Sequence, residues 1–365
     1  MTNKNPYKLL AEHLDQLPNG FPPTDDGVEL NLLARLFSPE EAWLAAQLRL
    51  SLETPEQIAA RLGREVSSGL RDQLKSMARR GLIRAGRFEG GIGFASLPFV
   101  VGIYELQVDR LDAEFAALIE AYFHRGFWQI LDERPAVHRV IPVAESVRVD
   151  MHIEPYESVA DILAAAQAWG VLDCICRKQK ALIGQPCEHP VDVCMAMSQK
   201  PGAFDQSTTV HALSLDQAME VLKRAAKAGL VHSVSNYKGL GSQSGIGYIC
   251  NCCTCSCGVL RGMAEMGLAG VVAHSSFVNH VDETLCMACE LCLESCMFGA
   301  LSMDGVAHVD ALRCAGCGVC VSSCPDGALG LVQRPPQDVE LPPADELAWL
   351  KARAATRGLD PGSVL

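Results

Sequence analysis

Cys286-x-x-Cys289-x-x-Cys292-x-x-x-Cys296-Met297-Phe298-Gly299-Ala300-Leu301 is followed by Cys314-x-x-Cys317-x-x-Cys320-x-x-x-Cys324-Pro325-Asp326-Gly327-Ala328-Leu329. The two stretches are copies of one pattern, and an internal repeat of this kind decides a fold before any local propensity does. Asp304-Gly305 between the copies reads as a hairpin turn. Three thiolates two residues apart make the chain wrap as a tight loop around one face of a cubane, so that backbone amides point at the sulfides. Small residues at Ala288, Gly316 and Gly318 leave room for that approach.

The repeat resembles the two-cluster bacterial ferredoxin family over roughly 50 residues. The resemblance implies two [4Fe–4S] clusters and one-electron transfer at low potential. It also implies crossed ligation, because the fourth cysteine of each run serves the other cluster. Cys286, Cys289, Cys292 and Cys324 would hold cluster one, and Cys314, Cys317, Cys320 and Cys296 cluster two. One position departs from the family: Met297 stands where proline is usual after the fourth cysteine.

Outward from the repeat, the cysteines set the context. The chain has 365 residues and 17 cysteines, all between Cys174 and Cys324. The start has no apolar stretch of the signal-peptide kind, and the longest apolar run, about Phe94 to Tyr104, contains Pro98 and is too short to span a bilayer. Clustered thiols are then metal ligands in a reducing cytoplasm rather than disulfides. A net charge of -12 argues against general nucleic-acid binding.

Nine cysteines lie outside the repeat. Cys174, Cys176, Cys187 and Cys194 form a first block, with His189 as a reserve ligand; they suit a third site, either a further [4Fe–4S] cluster or zinc. Arg177 and Lys178 beside them would offset thiolate charge, or else form a solvated basic turn. Cys250, Cys252, Cys253, Cys255 and Cys257 form a second block, suited to a further site or to sharing the first. Neighbours such as Cys252 and Cys253 must point different ways. The run from Ile249 to Gly258 looks like multi-cluster ferredoxin-like proteins of anaerobes, a class without an assigned reaction.

The expected fold class is α+β: a leader over 1–27, a winged-helix-like domain over 28–107, a helical cysteine-rich metal-binding domain over 108–280, the ferredoxin domain over 281–334 and a tail over 335–365. Ser38-Pro39-Glu40-Glu41 and Thr54-Pro55-Glu56-Gln57 are helix starts, and a third helix runs from about Ser67 to Arg80 before a Gly90-Gly91 turn. This order resembles a winged-helix domain. The stretch 54–89 has Arg61, Arg64, Arg71, Lys75, Arg79, Arg80, Arg84 and Arg87 against Glu56, Glu65, Asp72 and Glu89, eight minus four. Such a patch suits DNA or, preferably, an acidic redox partner protein. Leu111, Phe115, Leu118, Tyr122 and Phe123 read as core, His211 and His232 as structural histidines, and Gly239 to Gly245 as a loop that fits no phosphate-binding fingerprint. The leading reading is an electron carrier or electron-transfer subunit; a redox-responsive DNA-binding regulator and an oxidoreductase with an open iron–sulfur site stand as alternatives.

Overall fold

The computed structural model describes residues 5–148, 150–239 and 246–360; most of the Gly239–Gly245 segment therefore lies outside the described residues. The chain forms two compact units, one of residues 1–130, 178–186 and 350–365, the other of 131–177 and 187–349.

The first unit opens with α1 (Pro6–Gln16), α2 (Val28–Leu36), α3 (Pro39–Ala45), α4 (Pro55–Arg61) and α5 (Ser68–Arg79), then the hairpin β1 (Arg84–Phe88) and β2 (Gly91–Ala95), then α6 (Ala113–Arg125). Local chemistry accounts for the helix starts. Ser38 and Thr54 each close a reciprocal capping box, with proline in the first turn, and Ser67 caps α5. Glu53 bridges Phe94, adding a third short extended segment beside the hairpin. Phe115, Tyr122 and Phe123 of α6 are buried, as their spacing predicts, whereas Leu118 is only partly buried and Leu111 precedes the helix and is partly buried too.

Two expectations fail in this unit. The leader is not loose: α1 buries Leu10, Ala11 and Leu14. The tail is not free: its helix Glu346–Thr356 buries Leu350 and Ala354, and Arg353 donates to the carbonyls of Pro18 at 2.9 Å and Ile130 at 2.8 Å. Both segments look polar in sequence because only one narrow stripe of each is apolar. A stripe that narrow is meaningful only when a partner exists to cover it.

The second unit corrects the expectation of a helical middle. Its frame is a seven-stranded sheet; in chain order the elements are β3 (His138–Val140), α7 (Val159–Ala164), β4 (Ala168–Leu172), α8 (Ile175–Leu182, whose residues from 178 on belong to the first unit), β5 (Cys194–Ser198), β6 (His211–Leu213), α9 (Leu215–Lys227), β7 (Val231–Ser235), β8 (Ile246–Cys252), α10 (Arg261–Met266) and β9 (Val272–Ala273). The strand order is β6-β4-β5-β8-β7-β3-β9, antiparallel except for the β3–β9 pair. The strands are two to seven residues long and several are punctuated by cysteine or glycine, so they carry little periodic signal. Apolar residues of α7 and α9, among them Ile162, Leu163 and Leu222, pack with Met195, Met197 and Ile249 of the sheet into one core.

The rest of this unit is two short hairpin-like sheets. The strand β10 (Phe277–Val281) pairs antiparallel with β13 (Leu329–Gln333), and β11 (Leu301–Asp304) pairs with β12 (Val306–Val309) across Gly305. Two short helices, α11 (Leu291–Ser295) and α12 (Val319–Ser322), follow the cysteine loops of the two copies.

Candidate metal centres

The repeated cysteines come together in two crossed sets. Cys296, Cys314, Cys317 and Cys320 line a cavity bounded by Phe298, Leu301 and Leu331. Cys286, Cys289, Cys292 and Cys324 line a second, with Met303 and Leu329 at its wall. Each cavity thus takes three thiols from one copy and one from the other.

Donors surround these sulfurs. Backbone N–H groups of Asn279, Ala300, Ala307 and Ala328 reach the Sγ atoms of Cys314, Cys296, Cys286 and Cys324 at 3.3–3.4 Å. The Asn279 side chain donates to Cys320 Sγ at 3.2 Å. Such donors stabilise negative charge on sulfur. Burial pushes the Cys317 thiol up to about 12 and raises Cys320 and Cys292 as well, so without a metal these thiols are protonated. Soft donors, amide N–H groups and space enclosed by four cysteines together fit a [4Fe–4S] cluster in each cavity.

The glycines of the second copy are required by contact. A Cβ at Gly316 would lie 2.1 Å from the Phe277 carbonyl oxygen, and one at Gly318 would lie 2.5 Å from Cβ of Ser146. Both residues have positive φ. The first copy uses Ala288 and Glu290 at the matching left-handed positions, and both are exposed. The copies therefore differ in surroundings. The second is seated on the sheet side of its unit: Val143 N–H donates to the Cys317 carbonyl at 2.9 Å and Ser146 Oγ to that of Gly318 at 2.7 Å. The first shows Leu285, Met287 and Leu291 to solvent, Met287 at 72 %. Met297 is half-buried against the core of the large sheet.

Residues 285–328 match the family model of the 4Fe-4S dicluster domain. A ferredoxin-type domain is present in the C-terminal part of the chain, and the cysteine-rich composition agrees with an iron–sulfur electron-transfer role. No curated protein matches this chain. Among the described residues, no helix is long and apolar enough to cross a membrane.

The nine remaining cysteines divide differently from the two blocks seen in sequence. Cys187 leaves the first block and Cys253 and Cys255 leave the second. Their sulfurs and Nδ1 of His189 draw within 4.8 Å of one another. The other six form a chain of side-chain contacts: Cys194 to Cys174, Cys174 to Cys176, Cys176 to Cys257, Cys257 to Cys252 and Cys252 to Cys250. The sheet explains the sorting. Cys174 follows the end of β4, Cys194 begins β5 opposite Leu172, and Cys250 and Cys252 end β8, so all meet at one edge of three adjacent strands. Cys250 and Cys252 share a face by the two-residue strand period. Cys253, one residue on, turns to the other set.

Arg177 is buried between the sets. It donates to the Pro190 and Asn251 carbonyls, each at 2.9 Å, and to Cys253 Sγ at 3.5 Å. Burial opposes its charge, but the sulfurs of Cys174 and Cys253 outweigh that and hold it charged. It is not a solvated turn residue. In the six-thiol set, hydrogen bonds from Cys176 and then Cys194 pull Cys174 well below the ordinary thiol range, while Cys176, Cys194 and Cys252 are held well above it. His232 is structural, buried with Nδ1 on Asn251 Oδ1, and His211 is exposed on β6. Sequence reading did not find Asn279; it reaches Cys320 only through the pairing of β10 with β13.

Proposed function

We propose that this chain is an iron–sulfur electron-transfer protein, or the electron-transfer subunit of a larger redox system, with a further iron–sulfur centre on the six-thiol set. The observation that carries this reading is the pair of four-cysteine cavities in unlike surroundings. Cys286, Cys289, Cys292 and Cys324 would hold cluster one; Cys314, Cys317, Cys320 and Cys296 would hold cluster two. When bound, such clusters supply one-electron transfer at low potential.

The chain's own residues supply the rest. Leu285, Met287 and Leu291 form an exposed apolar rim beside Cys289, suited to transient docking of a redox partner protein. Asn279 donates to a ligand of cluster two, and Phe298 and Leu331 keep water from it. Met297, next to the ligand Cys296, packs on the core that also contains Cys253, which joins the ferredoxin part to the cysteine-rich sheet edge. Iron and sulfide analysis after anaerobic purification tests the reading. About twelve irons per chain supports three four-iron centres, whereas about eight confines iron to the dicluster domain.

A second reading is a redox-responsive regulator with a winged-helix domain. The order α3-α4-α5-β1-β2 with the Glu53–Phe94 bridge supports it, as do Arg71, Lys75 and Arg79 on α5, although Arg71 is paired with Glu56. DNA binding that weakens steeply with salt would favour it over the carrier.

A further inference from the structure

The ligand atoms of Cys187, His189, Cys253 and Cys255 all lie within 4.8 Å of one another. Cys187 Sγ lies 3.7 Å from Cys253 Sγ and 3.0 Å from Cys255 Sγ, and Cys253 and Cys255 are 3.1 Å apart. Nδ1 of His189 is 3.0 Å from Cys187 Sγ and 3.8 Å from Cys255 Sγ. Zinc–sulfur bonds of about 2.3 Å and zinc–nitrogen bonds of about 2.0–2.1 Å give a tetrahedron with S···S edges of about 3.8 Å and S···N edges of about 3.6 Å. The observed separations run from 3.0 to 3.8 Å, at or below those edges except for the slightly longer His189–Cys255 distance. A cubane needs its thiolates wider apart, because an iron at a separate corner stands in front of each. The ferredoxin cysteines, which face cavities, form no comparably tight group among the described residues.

We infer that Cys187, His189, Cys253 and Cys255 form a single-ion site of the Cys₃His type, taking a tetrahedral divalent metal of the zinc class and separate from any iron–sulfur cluster. The donors come as two pairs, Cys187-Glu188-His189 from the loop before β5 and Cys253-Thr254-Cys255 from the turn after β8. Structural zinc is commonly held by two donor pairs from two loops, and here each pair is separated by one residue instead of the commoner two to five. Four protein donors close the coordination shell, so the ion holds loops together rather than binding substrate. Binding releases the thiol protons to solvent and leaves a net charge of minus one from three thiolates and a divalent ion. Arg177, donating to Cys253, offsets that charge, and Ser256 Oγ contacts Cys255 Sγ at 3.9 Å. The ion would clip together the two loops that carry or flank Cys194, Cys252 and Cys257. It therefore goes beyond the electron-transfer reading, and its test does not depend on it.

The experiment measures zinc and iron in the anaerobically purified full chain and in its Cys255→Ser and His189→Ala variants. One zinc per chain is expected in the parent. Loss of most of that zinc with unchanged iron is expected in both variants. Loss of about four irons with either substitution would overturn the inference, because the quartet would then belong to a cluster. So would a parent without zinc that fails to take up cobalt(II). Should both variants fail to fold, cobalt(II) titration of the chelated parent decides instead. One equivalent with intense tetrahedral thiolate–cobalt absorption upholds the site, and weak octahedral absorption overturns it.

Discussion

The two cysteine-rich regions of this chain are built on opposite principles. In the ferredoxin-type part, three of every four cysteines in a cavity lie within seven residues of one another, and the loop that carries them also wraps the cavity. On the sheet edge, the cysteines come from the ends of β4, β5 and β8 and from two loops between strands, and spacing alone does not say which of them meet. The first region is a local device repeated, and its partners can be read from a pattern. The second is a non-local device, and its partners are set by strand register.

The largest contrast is expected from removing one ligand on each side of the ferredoxin part. Cys320→Ser and Cys289→Ser should each release about four irons. Only the Cys320 variant should also loosen the sheet, because its loop is hydrogen-bonded to Val143 and Ser146. Hydrogen exchange at β3 and β7 reads the difference; equal loosening by both would erase the asymmetry drawn between the copies.

Arg177→Leu should act on the sheet edge alone. It leaves the Pro190 and Asn251 carbonyls without their donor in a buried place, at a cost of about 3 kcal/mol. Denaturant unfolding measures the loss, and full retention of iron in the dicluster domain would mark it as confined to the sheet.

Met297→Pro restores the residue usual in the ferredoxin family. It should keep both clusters yet cost about 1–2 kcal/mol through lost packing on the large core. A variant as stable as the parent would show that the contact holds nothing together.

Acid should weaken the sheet region in a defined window. Burial lowers His138 to about 4, and burial followed by the charges of Arg334, Arg134 and Arg139 lowers His274 to about 4. The unfolded chain takes up these protons near 6.5 and the folded chain resists them. Stability is therefore present above that value and falls as pH drops from about 6.5 towards 4. A His138→Gln variant should flatten this part of the pH–stability curve.

The smallest effect expected is electronic. Asn279→Leu removes the donor to Cys320 Sγ, so cluster two should shift to more negative potential while cluster one stays in place. A redox titration followed by paramagnetic resonance separates the two.

Much of the local structure was legible. Capping boxes at Ser38 and Thr54, the stop at Gly81 and the turn at Gly305 stand where their residue types place them. The helix Leu215–Lys227 begins after Ser214 as its cap requires. The leader, the tail and the large sheet were not legible. Leu10 and Leu14 make too narrow a stripe to announce a buried helix, and strands such as Cys194–Ser198 are too short to show alternation. Arg177 could be named beside the thiols, but not as the buried residue between two sets of them.

By itself, the sequence determined that two loops of identical spacing fold around four-thiol cavities, because ligands two or three residues apart cannot separate once the loop closes. It also determined that nine further thiols lie in two short stretches. Only the tertiary structure decided which of those nine meet. Adjacent residues on a strand face opposite ways, and residues far apart in the chain become neighbours when strands pair. Cys252 and Cys253 therefore part company, and Cys187 finds Cys253 and Cys255.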